Sequence, residues 1–200
     1  MFKKLYFILS CILVVQLSVE AKPKYPTENL NKITIFWDTS LSMKDKDVTK
    51  ELALLDAYFY KTPNVTVELI VFSNSIDLQK TFAIINSDWT ILKEELLKTT
   101  YDGVAFFDVL LEKQESDINL LFTDGHEVIN KLILNKTTPT HVITSTKKSN
   151  AIILMEQSRL SKGNFIDLTE VSIKEGLLLL NVEGTNIVDV KVKRTTPKKK

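Results

Sequence analysis

Ile33-Thr34-Ile35-Phe36-Trp37 runs directly into Asp38-Thr39-Ser40-Leu41-Ser42, so a carboxylate and two hydroxyls at alternate positions follow an apolar stretch of strand length. The β-branched and aromatic run predicts a buried strand. In an open α/β sheet, ligands bind in the crevice outside the carboxyl ends of such strands. Donors that are all oxygen suit a hard divalent ion, Mg²⁺ before Mn²⁺ or Ca²⁺. The segment therefore proposes both a sheet and a metal site at its rim.

Outward from this strand, apolar runs alternate with segments of helical period. Asp47 is placed to cap a helix over 48–61, with Leu52, Leu55 and Phe59 on one face and Thr62-Pro63-Asn64 as its stop. A strand is predicted over 65–72. After the turn cluster Ser73-Asn74-Ser75, residues 80–85 return as an antiparallel edge strand. Ser87 or Asp88 starts a helix carrying Trp89, Leu92 and Leu96, and a second helix surrounds Phe107, Leu110 and Leu111. Strands follow at 118–122, 142–144 and 165–166. Between the last two lies a helix over 151–160, capped by Ser149 and closed by Gly163 in a left-handed conformation. Ser172 and Glu175 form a capping box for a short final helix ending at Leu180. The pattern predicts a doubly wound α/β domain, with a mainly parallel sheet, one antiparallel edge strand and helices on both faces.

The chain has 200 residues, 26 of them basic and 25 acidic, a balance that argues against nucleic acid as a partner. Met1-Phe2-Lys3-Lys4 and the apolar run 5–17, followed by Val19-Glu20-Ala21, read as a secretory signal. The run is short for a membrane span, so no transmembrane helix is expected once residues 1–21 are removed. That removal leaves 24 basic and 24 acidic residues. The sole cysteine, Cys11, lies inside this segment; Ile8-Leu9-Ser10-Cys11 faintly resembles a lipoprotein box, which leaves lipidation as an alternative to cleavage at Ala21. Residues 22–32 are a linker, 33–180 the domain, and 181–200 a tail. Its last ten residues hold six basic side chains and no acidic one, as a solvated tail or the start of a linker. The chain is expected to be exported to the periplasm, the cell surface or the medium.

A second strand end completes the chemistry. Thr123-Asp124-Gly125 follows the strand over 118–122, and neighbouring strands would bring Asp38, Ser40, Ser42 and Asp124 together. Two carboxylates and two hydroxyls leave room for waters and one further oxygen, as Mg²⁺ prefers.

With these two segments, and with Met155 to Asp167 as helix, glycine turn and closing strand, the chain resembles the von Willebrand factor type A domain over about residues 33–180. The resemblance implies a doubly wound fold with a metal-ion-dependent adhesion site. Ser40 and Ser42 would coordinate the ion directly, and Asp38 and Asp124 directly or through water. A partner protein's Asp or Glu would complete the shell. One departure stands out. The family supplies a threonine ligand from the loop that is here 101–110, and that position falls on Val104 or Ala105; Thr99, Thr100 or Asp102 are the available substitutes.

Enzymatic readings fare worse. A haloacid dehalogenase-like phosphatase needs a second aspartate where Ser40 stands. Thr123-Asp124-Gly125 does not repeat the Asp-Thr-Ser order of an aspartic protease, whose fold would be all-β. His126 and His141 lack a triad's supporting motif. Asn64 and Asn135 head glycosylation sequons, which carry little weight behind a signal of bacterial type. The expected function is non-enzymatic protein binding through a divalent cation. The alternative is a structural module of a larger cell-envelope protein, with a degenerate site and no ion in use.

Overall fold

The computed structural model describes residues 31–111 and 116–182. The expected signal segment with Cys11, most of the linker and nearly all of the basic tail lie outside the described residues. Strands β1 (Lys32–Asp38), β2 (Val65–Phe72), β3 (Ile76–Ile84), β4 (Ile118–Phe122), β5 (Thr140–Thr144) and β6 (Phe165–Asp167) form one sheet in the order β3-β2-β1-β4-β5-β6. Only the β2–β3 pairing is antiparallel. Helices α1 (Val48–Lys61), α2 (Thr90–Leu97), α3 (Ala151–Leu160) and α4 (Ile173–Leu180) fill the connections. The fold is the doubly wound α/β architecture expected from the sequence. Winding reverses between β1 and β4, so the crevice of an open α/β sheet opens beside Asp38.

Alternation along the strands builds two cores. Ile33, Ile35 and Trp37 face one side, with Val67, Leu69, Leu120 and Phe122, and are covered by α1, α2 and α4. Phe36, Ile70, Phe72, Leu121 and Val142 face the other. There α3 contributes Leu154, and much of the remaining cover comes from Phe107, Leu110, Leu132 and Leu134 on segments without α-helix. Both tryptophans are core residues, as their strand and helix positions predict. Of the two adjacent phenylalanines, Phe107 is fully buried and Phe106 packs at the edge of the second core.

Local chemistry explains where element ends fall. Asp47 caps α1 by accepting from the Lys50 amide, and Ser172 and Glu175 close the capping box of α4. β3 begins four residues and β5 two residues earlier than expected. α2 starts at Thr90, after a turn in which Asn86 and Ser87 both take positive φ. The second helix expected near Phe107 is a single 3-10 turn, Phe107–Leu110, within the described residues. Asn150 rather than Ser149 precedes α3, without a side-chain cap.

The end of α3 corrects the role of Gly163. Lys162 takes the left-handed conformation, with φ 66°. The Gly163 amide then reaches the Ser158 carbonyl and the Lys162 amide the Arg159 carbonyl, the paired bonds of a Schellman end. Gly163 is required by space instead: a Cβ there would lie 1.8 Å from the Thr140 carbonyl oxygen on β5.

Candidate metal centre

Asp38 and Asp124 each leave the carboxyl end of a central strand and fold back in the same way. Asp38 Oδ1 accepts from the Ser40 amide at 2.8 Å, and Asp124 Oδ1 accepts from the His126 amide at 3.0 Å. These are Asx turns, which aspartate forms because its short side chain reaches the amide two residues on. The second oxygens differ. Asp38 Oδ2 accepts from the Thr123 hydroxyl at 2.6 Å, tying β1 to β4. Asp124 Oδ2 is buried and has no hydrogen bond.

Both aspartates are fully buried. Among the described residues, neither meets a lysine or arginine. The only ion-pair contact is His126 Nδ1, 3.7 Å from Asp124 Oδ2. Burial pushes the Asp38 carboxyl above its ordinary range, against the pull of bonds from Thr123 and Ser40, and the nearby Asp124 charge adds to the push.

Ser40 is buried and Ser42 exposed, and their Oγ atoms stand 3.2 Å apart. Ser40 precedes the 3-10 segment Leu41–Asp45 that follows β1, and Ser42 lies in its first turn. The Leu41 amide donates to the Gly103 carbonyl, and the Asp102 amide to the Thr39 carbonyl. The serine loop is thereby fastened to the loop expected to supply a threonine. That loop is held in turn by Asn74, whose Oδ1 accepts from the Val104 amide at 2.8 Å. Gly103, at φ 69°, leaves the space in which the Asn74 amide sits.

Val104 and Gly103 line a cavity of about 440 Å³ with Leu41, Ser42, His126 and Lys148. The substitute ligands considered from sequence sit apart from it. Asp102 is exposed, and its Oδ1 accepts from the Gly103 amide. Thr100 lines a separate groove with Thr39, Asp77 and Lys98. No group of three His, Cys, Asp or Glu that could hold a metal occurs among the described residues. A site here would draw on the two aspartates together with serine hydroxyls. That donor set is all oxygen, carries two uncompensated buried carboxylates, and includes one carboxylate oxygen without a partner. It fits a hard divalent cation.

Facing the Trp37 and Tyr101 rings lies a group that sequence reasoning missed. Lys46 Nζ is 3.0 Å from Glu51 Oε2, with both side chains fully buried. It also sits 3.5 Å above the centre of the Trp37 ring and 5.2 Å from that of Tyr101. Glu51 Oε1 accepts from the Ser145 hydroxyl, which accepts from the Asp47 amide. Burial pushes the Glu51 carboxyl up against the pull of Lys46. Of the histidines, His126 is part-exposed, with Nε2 2.6 Å from the Lys148 carbonyl, whereas His141 is buried in β5.

No protein-family profile matches the chain, and no curated protein matches it. Solved structures do. An aerotolerance-related membrane protein from Bacteroides fragilis NCTC 9343, with multiple mutations to serines, aligns with a TM-score of 0.55 at 15% identity, over 76% of this chain and 96% of that one. The conserved hypothetical protein BatB from Bacteroides thetaiotaomicron aligns with a TM-score of 0.52, also at 15% identity, over 74% and 95%. At this identity the likeness is one of fold.

Proposed function

We propose that the chain is an exported, non-enzymatic protein-binding module of the von Willebrand factor A type, whose site engages an acidic residue of a partner through a divalent cation. One observation carries the reading: two fully buried aspartates stand at adjacent strand ends, neither paired with a lysine or arginine among the described residues, and Asp124 Oδ2 has no hydrogen bond there. Asp38, Ser40, Ser42 and Asp124 would hold the ion. When bound, a cation at the sheet's rim supplies Lewis-acid attraction for one more carboxylate. The protein's part is to fix the donors. Asx turns aim both aspartates, Thr123 locks Asp38, and the 101–104 loop braces the serines. The fold shared with the aerotolerance-related membrane protein supports a place at the cell envelope. No described helix is long and apolar enough to cross a membrane.

Val104 and Ala105, one of which takes the position where a threonine ligand is expected, favour a second reading: a structural envelope module that uses no ion. Thermal unfolding of the chain with increasing Mg²⁺, Mn²⁺ or Ca²⁺ separates the two. The cation reading expects Tm to climb with metal concentration, and to stop doing so in Asp38→Ala and in Ser42→Ala. Ser42 is exposed, so its variant tests the site without disturbing the core. A Tm indifferent to all three ions selects the structural reading.

A further inference from the structure

We infer that the acidic residue captured at this site is followed by a bulky aliphatic side chain, which enters the cavity bounded by Leu41, Val104 and Val128. The inference rests on the reading of the site as a receptor for a carboxylate, and it names the second half of what is recognised. Leu41 is 55% exposed and Val128 69%, although both border a concave surface next to Ser42. The cavity's volume of about 440 Å³ lies within the range of roughly 300–1,000 Å³ found for ligand sites. Its composition is divided. Leu41, Val104, Ala105 and Val128 supply apolar wall, while Ser42, His126, Lys148 and the carboxylate of Asp45 supply polar and charged groups.

Charge decides what belongs there. Lys148 is held only by Asp45, at 3.2 Å, with both side chains more than two-thirds exposed. Exposed pairs of this kind hold weakly, so the ammonium is available to an incoming anion. His126 is anchored through Nε2 to the Lys148 backbone, which fixes the neighbouring rim. An anionic group beside an aliphatic one matches the Lys148 ammonium, once released from Asp45, beside an aliphatic wall. Val104 then has a positive role: it loses a ligand and gains a contact surface.

The test uses the full chain with Mg²⁺ and two short probes, acetyl-aspartyl-leucine amide and acetyl-aspartyl-serine amide, titrated by NMR. The leucine probe is expected to bind about tenfold tighter, the value of partly burying one aliphatic side chain. The preference should fall towards parity in Leu41→Ser and in Val128→Ser, whose exposed positions leave folding intact. Equal affinity for the two probes, a preference that persists in both variants, or no binding of either probe would overturn the inference. A leucine preference that survives chelator would leave the cavity's role standing and overturn the cation reading.

Discussion

Thr123 Oγ donates to Asp38 Oδ2 across the β1–β4 junction, and both side chains are wholly buried. The same hydroxyl accepts from the Gly125 amide. One threonine therefore fixes the first carboxylate and shapes the turn that carries the second. Thr123→Val removes donor and acceptor without changing shape much. It should lower stability by about 3 kcal/mol, because a buried carboxylate oxygen and an amide both lose their partner. Urea unfolding measures this, and Thr123→Ser, which keeps the hydroxyl, should recover most of the loss.

Val104 offers a gain-of-function test. Val104→Thr places a hydroxyl at one of the two positions, Val104 and Ala105, where the resemblance expects a threonine ligand. Under the cation reading, the Mg²⁺ concentration needed for half the rise in Tm should fall about tenfold, the scale on which a site's supporting groups alter metal affinity. An unchanged midpoint would show that this side chain does not reach the ion.

The Lys46–Glu51 pair predicts strong non-additivity. Lys46→Met leaves Glu51 buried with only Ser145 as partner, and should cost about 3–5 kcal/mol. The double change Lys46→Met with Glu51→Gln removes both charges while keeping an acceptor for Ser145. It should be much less destabilised than the single variant, as a double-mutant cycle by chemical denaturation would read out.

His141 predicts the acid limb of the stability curve. Burial lowers its pKa from 6.5 to about 4, and its Nδ1 accepts from the Asn164 amide, so the folded ring is neutral. Between those values the unfolded chain binds the proton that the folded chain refuses. Stability is therefore complete above about pH 6.5 and declines as pH falls towards 4, by about 3 kcal/mol at most. His141→Gln should flatten this part of the profile, measured as Tm against pH beside the parent.

Much of this architecture was legible because it depends on neighbours in sequence. Asp47 and Ser172 cap helices with groups three residues away, and β1 and β4 announce themselves as mostly apolar runs with an aspartate at or just past their ends. Features that depend on distant neighbours were hidden. Lys46 looks like a solvated residue in a charged stretch, and only Trp37 and Glu51 make it a core residue. Gly163 reads from sequence as a conformational residue because nothing in its own segment reveals the Thr140 carbonyl pressed against it. Part of the cover over the second core escaped: 130–134 reaches it without a sustained helical period, and around Phe107 a single 3-10 turn stands where a helix is expected. At the site, both aspartates were visible, but the bond from Thr123 to Asp38 needed the adjacency of β1 and β4.

The way each segment is fastened sets how the site should breathe. The Thr39 amide donates to the Phe72 carbonyl and the Thr123 amide to the Ile143 carbonyl, backbone bonds that extend the central strands. By contrast, the Val104 amide at the cavity and the Leu132 and Leu134 amides over the second core are held by the side chains of Asn74, Glu127 and Gln157. Amides of the first kind open only with global unfolding, whereas those of the second can open locally. Hydrogen exchange should therefore run faster at Val104, Leu132 and Leu134 than at Thr39 and Thr123. A partner would find a still floor beneath a rim able to adjust to it.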